Sequence, residues 1–117
     1  MARAAHELLH PETPLERIAT VFGLTHTELA RLFGVRRQAL DQWESRGVPS
    51  QRQEKLATLG AIADLLVGKL KRDRIPGVVR RSAPAYSGRS PLDAIAAGDQ
   101  DLVLAELRDA FDWSTAA

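Results

Sequence analysis

Apolar positions along this chain recur at helical spacing and nowhere in sustained alternation. Leu15, Ile18, Ala19 and Phe22 form the first stripe. Thr13-Pro14-Leu15-Glu16 opens it, with Thr as N-cap, Pro at the first helical position and Glu at the third. Gly23 closes it. Next comes Leu24 to Glu44, where Thr25 and Glu28 predict a second capping box and Leu24 with Leu29 a hydrophobic staple. Leu29 and Phe33, then Leu40 and Trp43, pair at i, i+4 and i, i+3, so each pair lies on one face of a helix. Ala30 is small where two helices cross, and Gly34 supplies the turn between them.

Gly47-Val48-Pro49 reads as a turn, and Ser50 to Gln53 as the capping box of a long helix from about Gln51 to Lys71. Its stripe is Leu56, Leu59, Ala63, Leu66, Val67 and Leu70, widened by Ile62 and Leu65. That is broader than three short helices need. Two readings follow: packing in the chain's own core, or, the sharper one, a homodimer contact through Leu59, Ile62, Leu66 and Leu70. Ile75-Pro76-Gly77 reads as a stop, and the Gly-, Ser-, Pro- and Arg-rich stretch that follows as a linker over residues 73–89. Ser90 caps a short helix to Ala97, closed by Gly98, and a last helix runs from about Gln100 to Phe111. Val78-Val79 is too short for a strand. The expected fold is all-α: a helix-turn-helix bundle with a long helix over 13–72, the linker, and a small helical module over 90–117. Residues 1–12 carry only a weak apolar pattern.

With Leu40 and Trp43 turned inward, the second helix of the 24–44 unit presents Arg36, Arg37, Gln38, Asp41 and Gln42. Arg can bond guanine O6 and N7 together, and Gln adenine N6 and N7, so these five are the candidate contacts to base edges. The unit resembles the Xre/Cro-like helix-turn-helix family through Leu24-Thr25, Glu28-Leu29-Ala30, Phe33-Gly34-Val35, Gln42-Trp43-Glu44 and Gly47. The resemblance implies that the five polar residues face double-stranded DNA and that Thr25, Thr27 and Arg46 touch phosphates. Where that family often has Ser at the start of its reading helix, this chain has Arg36, which accepts no bond from the helix amides.

The formal charge of +1 over 117 residues hides an asymmetry. Residues 1–48 hold six basic and six acidic side chains, residues 49–81 eight and three, and residues 82–117 two and six. The basic middle suits a phosphate backbone, with Arg80 and Arg81 as candidate contacts. DNA would repel the acidic last third, which points that third at another partner.

A second resemblance lies there. Tyr86-Ser87-Gly88-Arg89-Ser90-Pro91-Leu92-Asp93, then Gly98, Val103-Leu104 and Leu107, is similar to the toxin-binding module of the Xre/MbcA/ParS antitoxin family. The two resemblances span residues 14–112. They imply an antitoxin that neutralises a RES-type toxin and represses its own operon, with Phe111 and Trp113 as partner contacts. The alternative is a stand-alone Xre-type regulator or phage-type repressor with no toxin partner.

Other classes have little support. There is no cysteine, hence no disulfide or Cys-based metal site. His6 and His10 sit at i, i+4 without a further ligand nearby, and His26 is the remaining histidine. No nucleophile elbow or glycine-rich phosphate loop occurs, so neither catalysis, a cofactor nor a metal is expected. The chain has no apolar leader and no run of about 18 apolar residues, which predicts a cytoplasmic protein off the membrane.

Overall fold

The computed structural model describes residues 12–116, with side chains through residue 112. His6 and His10 fall outside it, as does the side chain of Trp113. The described chain is all-helical. Seven α-helices follow one another along the described residues: α1 Pro14–Phe22, α2 His26–Leu32, α3 Arg37–Arg46, α4 Ser50–Lys69, α5 Ile75–Arg80, α6 Pro91–Ala96 and α7 Gln100–Ala116. Single 3-10 turns precede α5 (Arg72–Arg74) and α6 (Pro84–Tyr86). None of the helices among the described residues is long and apolar enough to cross a membrane.

Local chemistry sets three of the helix starts. Thr13 and Thr25 each accept a bond from the backbone N–H three residues on, and Glu16 and Glu28 each accept one in return. Both are complete capping boxes. The Ser90 hydroxyl caps α6 by accepting from Asp93 N at 3.0 Å. Two starts differ from the sequence reading. Pro49 is the N-cap of α4, so Ser50 is already helical and makes no capping bond. Gln53 reaches back to the Val48 carbonyl at 2.8 Å instead. Pro76 also starts a helix rather than ending one. It stands in the first turn of α5, where its missing N–H costs no intrahelical bond.

The stretch 73–89 therefore does not run as an open linker. Ile75 and Val79 on α5 and Tyr86 on the following 3-10 turn are buried in the same apolar core as α1 to α4, α6 and α7. α4 forms the axis of that core, with α1 and α7 against it. This packing takes Leu59, Ile62 and Leu66 out of the expected dimer contact and into the chain's own core. Leu59, Ile62 and Leu66 are each 0% exposed within the single chain, and Leu70 is half-buried. The breadth of the α4 stripe reflects two helices packed on different sides of it, α1 and α7. No surface of those three side chains remains for a second copy.

The α2–α3 unit is tied to this core at several points. Phe33 is 1% exposed and meets Trp43 edge to face, with ring centroids 5.4 Å apart and planes at 89°. From α4, Arg52 donates to the Phe33 carbonyl at 3.0 Å. The Lys55 ammonium lies 6.0 Å from the Phe33 ring centroid and donates to the Ile95 carbonyl at 2.9 Å. Burial, helped by nearby Arg52, lowers the Lys55 pKa. On the other side, Arg31 of α2 pairs with Asp93 of α6 at 3.0 Å.

Candidate nucleic-acid interface

α3 has a buried back and a polar front. Leu40 is fully buried and Trp43 9% exposed, while Arg37, Gln38, Asp41 and Gln42 share the opposite side and are all exposed. Arg36 is the N-cap, in extended conformation and without a side-chain capping bond. The turn before it is made by Gly34, whose φ of +67° is a conformation that L side chains rarely adopt. The first amides of α3 thus lack a side-chain acceptor, and the Arg36 guanidinium remains outside the helix.

Around this face the charges fall into two kinds. Arg17 pairs with Asp64, Arg31 with Asp93, Arg80 with Glu28 and Arg89 with Asp99. Arg36, Arg37 and Arg46 have no ion-pair partner among the described residues. Arg46 lies in the last turn of α3, about 13 Å along the helix from Arg37 at 1.5 Å per residue. Thr25, the N-cap of α2, and Thr27 in its first turn are exposed. The Thr25 hydroxyl oxygen accepts from Glu28 N at 3.1 Å as part of the capping box.

The structure adds a contact with no signal in residue spacing. His26 bridges α2 and α3: its Nδ1 is 3.8 Å from Asp41 Oδ1 and its Nε2 3.6 Å from Glu44 Oε1. The first turn of α2 therefore lies beside the middle of α3. Asp41, expected to face outward with the rest, is partly occupied by this bridge. The three residues bring metal-type donors within 4.8 Å of one another. The imidazole, however, turns a different nitrogen to each carboxylate, the geometry of a helix-to-helix bridge; one ion would take a single ring nitrogen.

Arg80 departs from the sequence reading. Though exposed, its guanidinium is engaged with the protein, donating to the Gly23 carbonyl at 2.8 Å, the Phe22 carbonyl at 3.4 Å and Glu28 Oε2 at 3.0 Å. One guanidinium from α5 thus holds the α1–α2 turn and the capping box of α2. The Glu28 carboxylate sits below its ordinary pKa because the Thr25 amide donates to it, with the Arg80 charge and the Thr25 hydroxyl adding to the effect. A depressed carboxylate stabilises the fold above its unfolded-state pKa, and that stability is lost as pH falls through the folded value. Glu28→Gln removes the charge. The wild type's lead over this variant in urea midpoint should therefore shrink from about pH 6 to about pH 3. A gap that stays constant over that range would refute the assignment.

At the far end of the chain, α7 buries Val103 and Leu107 and exposes Asp101, Asp109 and Asp112. Phe111, an expected partner contact, is half-buried and packs against the core. Leu102, at 39%, is the large apolar side chain exposed among the described residues. No family model, curated protein or solved structure matches the chain.

Proposed function

We propose that the chain binds double-stranded DNA in a sequence-specific manner through α3, represses its own operon, and neutralises a partner toxin through its C-terminal module. One observation carries the DNA reading. α3 presents Arg36, Arg37, Gln38 and Gln42 on an exposed face without ion-pair partners, while Leu40 and Trp43 lock its back to the core. Side chains fixed at the root and uncommitted at the tip suit bidentate bonding in the major groove. Thr25, Thr27 and Arg46 flank that face and take the backbone phosphates. The test is selection from a library of randomised duplexes. One enriched site supports the reading, and recovery of unenriched sequence sinks it.

The toxin-binding arm rests on the resemblance of residues 86–107 and on the α7 surface. Exposed Leu102 stands beside acidic Asp101, with Asp109 and Asp112 further along. An apolar side chain rimmed by carboxylates suits a basic protein surface better than a polyanion. Co-expression with the product of the neighbouring gene checks it: a stable complex and restored growth are expected. If growth is not restored and nothing co-purifies, the alternative of a stand-alone repressor holds.

A further inference from the structure

Two clusters, with Arg108 apart, contain every described lysine and arginine whose side chain lacks an acceptor within the protein. One is Arg36, Arg37 and Arg46 on α3. The other is Lys69, Lys71, Arg72, Arg74 and Arg81, all exposed, on the segment from the end of α4 through α5. Cation preference at a helix C-terminus accounts for Lys69, in the last turn of α4. The same preference covers Arg81, the C-cap of α5, but not Lys71, Arg72 and Arg74. Asp73 is the acidic residue among them.

The segment is held in place rather than loosely attached. Ile75 and Val79 anchor its underside at 0% and 1% exposure. Pro76 packs so closely on Gly23 that a Cβ there would lie 2.9 Å from Pro76 Cγ. Arg80 bonds the Phe22 and Gly23 carbonyls and Glu28. The turn from Gly23 to Glu28 is therefore held by the basic segment through Pro76 and Arg80, and lies beside α3, whose Asp41 and Glu44 carboxylates come within 3.8 and 3.6 Å of the His26 ring. A duplex read by α3 brings closely spaced phosphates to that turn, because a helix in the major groove is flanked by both backbones.

We propose that the segment from Lys69 to Arg81 is a second DNA-contacting element that grips backbone phosphates beside the α1–α2 turn. It sets affinity and salt dependence but reads no bases. The proposal rests on the DNA reading of α3 and deepens it. Arg72 and Arg74, on the 3-10 turn next to Pro76, carry most of the contact. Arg80 is a positioning residue, since its guanidinium is spent on the protein.

The experiment measures binding of the selected duplex and of a scrambled duplex by fluorescence anisotropy, from about 50 to about 300 mM salt. Arg72→Gln/Arg74→Gln should flatten the slope of log K against log salt by about two, roughly one unit for each phosphate no longer neutralised. It should do so on both duplexes and leave the preference between them unchanged. Arg72→Lys/Arg74→Lys should restore the wild-type slope, since charge rather than fork geometry does the work. A Gln variant with the wild-type slope, or a Lys variant as flat as the Gln variant, overturns the proposal. A wild type that prefers no sequence refutes the α3 reading instead, and this shows before any substitution is made.

Discussion

Phe33→Ala should cost about 3–5 kcal/mol of folding stability, the range for emptying a buried aromatic site. Phe33 ends α2 and is 1% exposed. Its ring edge meets Trp43 of α3, and the Lys55 ammonium of α4 lies 6.0 Å from its centroid. Truncation empties a site shared by three helices. It also leaves Lys55 half-buried without the ring, and with a charge that burial already disfavours. Small domains are stable by about 5–15 kcal/mol in total, so this single truncation should remove a large share of the margin. Urea unfolding followed by circular dichroism gives the number. Phe33→Leu keeps the apolar body and should lose clearly less. A cost below about 1 kcal/mol for Phe33→Ala would mean that α2 and α3 are held to α4 elsewhere.

Arg37→Ala/Gln38→Ala should relax base preference while leaving the fold intact. Both side chains are exposed in the first turn of α3, and neither makes a contact that supports packing. Surface changes of this kind shift stability by no more than about 0.5 kcal/mol. A bidentate bond to a base is worth roughly 1–3 kcal/mol of discrimination, and about 1.4 kcal/mol is a factor of ten. The double variant should therefore distinguish the selected duplex from its single-base variants at least about tenfold less well. It should still bind DNA, held by phosphate contacts. Unchanged base preference would remove α3 as the reading element.

How far the sequence reveals these features depends on how local their physics is. The capping boxes at Thr13 and Thr25 and the Ser90 cap are legible because donor and acceptor lie three residues apart. The back of α3 is legible because Leu40 and Trp43 share a face at i, i+3. Pro76 misleads because proline both ends one helix and begins the next, and only the core that Ile75 and Val79 enter distinguishes the two. The α4 stripe misleads for a related reason. Its breadth says that two surfaces cover it, but not whether the second is another copy or α7 of the same chain. Arg80 and His26 are beyond reach. Their partners are set by where α5 and α3 lie against α2, which no spacing along the chain encodes.

The close seating of Pro76 on Gly23 bears on how the molecule can be divided. A fragment ending near Lys71 keeps the whole α2–α3 unit but loses Ile75 and Val79 from the core, Arg80 from the α1–α2 turn and α7 from the side of α4. The α2–α3 unit is therefore not a portable module: cut away there, it is thermodynamically incomplete. Whatever loosens the last third of the chain removes part of the foundation on which α3 stands.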